Sequence, residues 1–276
     1  MKYKILDGTF EQVEPSISDS FVENSLDTMK TFRGFKLLGF IFFFIACITY
    51  LLYGGSVYIV NHMEESVGGL DLNNEFISFM SSIWYAHLTA FPITMLVIFT
   101  MYYRNRNRVK GHVIYYLLMT IYTLLVSLLL FKVMQLLVSY FILRIIYTTL
   151  FILTLSYSIW LGYQNAIHMI YGKKKRRSKV VEWFSRNFKS ILPILLVIGG
   201  AYFILKVIFE PAADLETRVI GSMADFMPLF MVGTNFAFIY YIGVIVRSYY
   251  VHKYSERFRV KFQYDKEDWY GQKYKG

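Results

Sequence analysis

Val113-Ile-Tyr-Tyr-Leu-Leu-Met-Thr-Ile-Tyr-Thr-Leu-Leu-Val-Ser-Leu-Leu-Leu-Phe-Lys-Val-Met134 is the stretch on which the fold turns. Its one charge, Lys132, stands near its end. A helix needs ~20 apolar residues to cross ~30 Å of hydrocarbon, and this stretch meets that length. Similar runs stand on both sides: Leu37–Val60, about Ile83–Tyr103, about Tyr140–Tyr163, Ile191–Phe209 and about Phe226–Val246. Lipid offers no partner to an open backbone N–H or C=O, so each run is read as a helix. The expectation is an all-α membrane protein of about six transmembrane helices with short loops. The brief stretch from Lys132 to Ser139 predicts a tight helical hairpin between the third run and the fourth.

Composition points the same way. The 276 residues are 56% hydrophobic and 17% charged, with a mean hydropathy of +0.41. Soluble domains are nearer 45–50% apolar and about 25% charged, so this apolar excess would overfill a soluble core. The single cysteine, Cys47, lies inside the first apolar run, which excludes an intramolecular disulfide and a CxxC metal site. No cleavable signal peptide is expected, because the first run is too long for a signal h-region.

Charge placement gives orientation. The net charge is +10. Basic residues collect before the first run (Lys30, Arg33, Lys36), between the second and third (Arg104, Arg106, Arg108, Lys110), between the fourth and fifth, and after the sixth. The intervening loops are acidic: Glu64, Glu65, Asp71 and Glu75, then Glu210, Asp214 and Glu216. Lys and Arg mark cytoplasmic loops, so the predicted topology has both termini in the cytoplasm of a multi-pass cell-membrane protein. The same bias accounts for the basic pI without nucleic acid as a partner. Three regions follow: a cytoplasmic segment 1–36, a six-helix domain 37–246 and a basic-aromatic cytoplasmic tail 247–276. In the first, MKYKIL has the pattern of a short strand. Ser18 to Phe35 has that of an amphipathic helix on the membrane surface, with weak periodicity.

Ionisable residues inside spans are functional candidates because burying charge in hydrocarbon is costly. Lys132, Arg144, Lys206 and Asp225 all fall in the outer half of this topology, and Glu210 follows Lys206 on the same helix face. Together they would form an outward-facing charged cluster. The plainer reading of the cations is snorkelling toward the interface. Asn235, mid-span in the sixth run, is either helix-packing glue or a substrate or ion contact. Pro92 and Pro228 would kink spans two and six. Lys173, Lys174, Lys175, Arg176 and Arg177 are candidates for anionic lipid headgroups, or simply set topology. Gln164, Asn165 and His168 share a polar face at the inner end of span four, without metal-ligand spacing. Trp269 and Tyr270 are too apolar for an idle tail and should dock on the protein's own loops, the membrane or a partner.

No nucleophile motif, paired carboxylates or phosphate loop is present in the sequence, so no enzyme, metal or cofactor is expected. The six-span layout, with a tail from Tyr264 to Gly271 whose acidic run ends in Trp-Tyr-Gly, resembles uncharacterised multi-pass bacterial membrane proteins encoded beside type VII secretion loci. Some of those serve as immunity proteins against secreted membrane-acting toxins. The resemblance implies a non-enzymatic protein that works through a membrane or secreted protein partner, as an immunity or accessory factor. The alternative is a small transporter or channel subunit built on the outer charged cluster. Besides the bilayer, a second copy of the chain is a further possible partner.

Overall fold

A computed structural model describes residues 4–31, 66–67, 70–71, 83–137, 140–172 and 227–274, with isolated helical positions between 187 and 209. The described architecture is helical apart from one antiparallel bridge between β1 (Ser66–Val67) and β2 (Leu70–Asp71). Among the described residues four long helices make the body: α3 (Ile83–Arg104), α4 (Arg108–Leu137), α5 (Phe141–Tyr171) and α6 (Met227–Lys253). Among the described residues three segments are long and apolar enough to cross a membrane: Arg108–Lys132, Phe141–Tyr171 and Pro228–Lys253. Their mean hydropathies are 2.2, 1.6 and 1.9. The runs Leu37–Val60 and most of Ile191–Phe209 lie outside the described residues.

The hairpin between the third and fourth runs is present, α4 ending at Leu137 and α5 opening after Tyr140. α6 packs along both α4 and α5, and α4 also along α3, whereas α4 and α5 touch each other less. Their contacts cluster at the hairpin end, where Gln135 Nε2 donates to Thr148 Oγ1 at 3.1 Å and Phe131 stacks on Phe151 at 4.5 Å. The face of α5 toward α6 carries Phe151, Ser158, Gly162, Ala166 and Ile170, one residue about every turn or two. Gly162 permits the approach. A Cβ there would meet Ile242 Cδ1 at 2.8 Å.

Both prolines, Pro92 and Pro228, lie within described helices. Pro228 is the second described residue of α6. α3 continues through Pro92.

Both terminal segments fold against one end of this bundle. The first contributes α1 (Phe10–Val13), a 3₁₀ turn at Glu14–Ser16 and α2 (Asp19–Thr31). The last contributes α7 (Ser255–Lys261) and α8 (Lys266–Tyr270). One hydrophobic cluster joins them to the ends of three body helices. It includes Val13, Val22 and Leu26 from the first segment, Phe258 and Trp269 from the last, and Val109, Ile170 and Tyr250 from α4, α5 and α6. The expected strand at the start is not formed among residues 4–9. Side chains bond its backbone instead: Tyr171 Oη donates to Lys4 O, Tyr250 Oη to Ile5 O and Tyr254 Oη to Gly8 O, each at 2.8 Å. The amphipathic helix does form, but Val22, Leu26 and Met29 on its apolar face are buried within the protein.

Candidate functional site

Three arrangements carry the polar chemistry of the described chain. The first is the terminal domain, which α6 enters by running on past Val246 to Lys253. Of the surfaces open to Trp269 and Tyr270, the chain itself takes both residues, 0% and 4% exposed. Trp269 Nε1 donates to Ser255 Oγ at 2.7 Å and Tyr270 Oη to Glu256 Oε1 at 2.9 Å. Arg259 Nε holds the other carboxylate oxygen of Glu256 at 2.9 Å. These two donors, Tyr270 first and Arg259 second, lower the Glu256 pKa from its ordinary value. Burial, and after it the bond to Glu256, pushes the Tyr270 phenol up to about 12. Gly271 follows at φ 103°, and a Cβ there would lie 2.7 Å from the carbonyl carbon of Asn105. Only glycine combines that backbone angle with that approach.

The tail is thereby tied to the loop between α3 and α4. Lys273 N donates to Asn105 O at 2.7 Å. Arg108, nearly buried, donates from Nη1 to Asp268 O at 2.7 Å and Glu267 O at 3.2 Å. Asp268 also pairs with Lys30 at 3.0 Å, which brings in α2. Further ion pairs cross between the two terminal segments at Glu14–Lys261, 3.0 Å, and Glu11–Arg257, 3.4 Å. Beneath α2, buried His112 Nδ1 meets Ser248 Oγ at 2.8 Å and joins α4 to α6. Sequence inspection sees His112 only as a scattered histidine, since its partner lies 136 positions away.

The second arrangement is the junction at Asn235, which is wholly buried. Its Oδ1 accepts from Ser127 Oγ on α4. Its Nδ2 donates to Thr154 Oγ1 at 2.8 Å and to Phe151 O at 3.4 Å on α5. Both the acceptor and the donor end of the amide are thus engaged by neighbouring helices. This is the geometry of helix-packing glue, in a medium that offers no competing water.

The third is a cleft of about 430 Å³ between α5 and α6, close to the terminal domain. Asn165 and His168 line it from α5, and Tyr240, Gly243 and Arg247 from α6. Asn165 Oδ1 and His168 Nδ1 are buried without a hydrogen-bond partner among the described residues. Arg247 Nε donates to Met169 Sδ at 3.1 Å, and its guanidinium lies 5.6 Å from the Phe21 ring centroid. Among the described residues no group of three or more His, Cys, Asp or Glu could hold a metal.

Two of the five residues expected in an outer charged cluster are among the described residues. Lys132, exposed, and Arg144, half-buried, stand on the two arms of the α4–α5 hairpin. Lys206, Glu210 and Asp225 lie outside the described residues, as do Lys173, Lys174, Lys175, Arg176 and Arg177.

Fold and polar groups together define a class: a helical protein with at least three helices fit to cross a membrane and a small domain, made of both its terminal segments, at one end. Comparison with protein families, curated proteins and solved structures returned no match.

Proposed function

We propose that this is a non-enzymatic six-span protein of the cell membrane, both termini cytoplasmic, that acts through a protein partner in or across that membrane. The saturated amide of Asn235 carries the reading. It is the most polar buried side chain in the middle of α6, and its bonding groups serve helix packing rather than a substrate. The partner role follows the resemblance of the layout and tail to immunity-like proteins of secretion loci.

The topology has its own support. α3 and α5 end at the terminal domain, α4 begins there, and α6 ends there. The chain therefore leaves α2 at that end and enters α3 at the far one. It leaves α5 at that end and enters α6 at the far one. Each interval holds one apolar run of crossing length in the sequence, Leu37–Val60 and Ile191–Phe209, which supports a count of six spans. The basic residues on the loops at the terminal-domain end favour the cytoplasm for that face.

Affinity purification of the tagged protein from native membranes, with mass spectrometry of its companions, tests the partner role. A stoichiometric protein partner is expected. A preparation carrying no second protein would overturn it. The second reading, a small transporter or channel subunit, draws on Lys132 and Arg144 standing on the two arms of one hairpin. It requires Arg144→Ala or Asp225→Asn to abolish a flux while the protein still folds.

A further inference from the structure

The cleft between α5 and α6 holds more polar capacity than the protein satisfies. Asn165 and His168 lie one turn apart on one face of α5. Each has a buried polar atom with no partner among the described residues. Such atoms are destabilising when left dry, so two beside one cavity point to a ligand with hydrogen-bonding groups of its own. Across the cleft, Arg247 bonds only a thioether sulfur through Nε and has no carboxylate partner among the described residues. Its remaining N–H groups form the fork that matches a phosphate.

Gly243 makes the room. Glycine weakens a helix relative to alanine, so in a helix it usually serves close packing. Gly162 does so against Ile242, but a Cβ at Gly243 would meet nothing within 4 Å among the described residues. The space is open, and its size of about 430 Å³ falls in the range of small-ligand sites. The rest of the lining, Met169, Ile239 and Val244, is apolar. A ligand that fits the whole cleft has an anionic head and an apolar body.

The depth suits one source of such molecules. Arg247 precedes the end of α6 by six residues, about 9 Å at ~1.5 Å per residue. Tyr250, one turn on, is already inside the terminal-domain core. The cleft thus sits where apolar body meets polar end, the level of phospholipid headgroups.

We propose that this cleft binds the phosphate headgroup of an anionic phospholipid, with Arg247 on the phosphodiester and His168 and Asn165 on its remaining oxygens and hydroxyls. The site stands apart from any protein partner, and it would be occupied in a preparation with or without one.

Native mass spectrometry of the full-length protein, titrated separately with phosphatidylglycerol, phosphatidylcholine and inorganic phosphate, tests it. One phosphatidylglycerol should be retained at concentrations where phosphatidylcholine is not, and excess inorganic phosphate should not displace it. Arg247→Gln should weaken retention about tenfold, the loss expected of one charge-assisted hydrogen bond, and Arg247→Lys should recover part of it. Because Arg247 also contacts Phe21, Gly243→Leu is the companion variant. It fills the cleft without touching the terminal domain and should abolish retention with the helix content unchanged. Retention at the wild-type level in both Arg247→Gln and Gly243→Leu would overturn the proposal. Equal retention of phosphatidylcholine would refute the preference for an anionic lipid. Displacement by inorganic phosphate would reassign the cleft to a free anion.

Discussion

In the terminal domain Val13, Met29, Phe258 and Trp269 are each 0% exposed, whereas the most apolar windows of α4, α5 and α6 are only 17%, 11% and 28% buried. Leu153 and Trp160 on α5 are 62% and 55% exposed. A soluble domain could not leave so much apolar surface open; a helix in lipid can, because hydrocarbon tails receive it without penalty. The two regions are therefore held by different means. The terminal domain coheres by apolar burial, reinforced by hydrogen bonds and ion pairs from parts of the chain more than 240 positions apart. Among the described residues the body coheres by close packing and by the side-chain amides of Asn235 and Gln135.

If burial governs the terminal domain, Trp269→Ala should have the largest effect. About 3–5 kcal/mol is expected from removing a wholly buried indole, read as a lowered thermal midpoint and early proteolysis of the tail. Loss under about 1 kcal/mol would mean the tail does not need its anchor. Gly271→Ala should cost about 1–3 kcal/mol, because it strains φ and drives a methyl into Asn105. Hydrogen exchange should show it as deprotection of the loop at 104–107, with α5 unchanged. In the body, Asn235→Leu should cost less, about 1–2 kcal/mol in mixed-micelle unfolding, the upper range for hydrogen bonds between membrane helices. A cost above that of Trp269→Ala would reverse the contrast between the two regions.

The smallest effect is the pH response of the tail. Glu256 has a lowered pKa when folded. Its contribution is present above the unfolded carboxylate range and lost as pH falls through the folded value. Tyr270 has its pKa raised to about 12. Its contribution is present below about 10, the free phenol value, and lost as pH rises toward 12. Tail protection should therefore be flat through neutral pH and decline at both extremes. Tyr270→Phe should abolish most of the alkaline limb, and an unchanged limb would assign it elsewhere.

The membrane helices are legible in the sequence because their signal is local. The run Val113–Met134 needs no neighbour to be read, and the hairpin after it follows from the shortness of the gap. Trp269 and Tyr270 announce docking by being too apolar for solvent, yet their seat on Ser255, Glu256 and Asn105 is a tertiary fact. Helix α2 is weakly periodic because part of its buried face is polar, with Ser25 beside Val22, Leu26 and Met29. MKYKIL reads as a strand by composition, but two tyrosine hydroxyls, from α5 and α6, bond its backbone. Asn165 and His168 are visible as a polar face, while Arg247 and the room at Gly243 appear only once α6 lies beside α5.

The proposed topology puts both terminal segments on the cytoplasmic face of a six-span bundle. Single cysteines placed in a Cys47→Ser background, at Asn24, Glu65, Asp214 and Gln272, test it with a membrane-impermeant maleimide. Glu65→Cys and Asp214→Cys should label in intact cells, and Asn24→Cys and Gln272→Cys only after permeabilisation. Labelling of either terminal site in intact cells, with the other protected, would contradict the account.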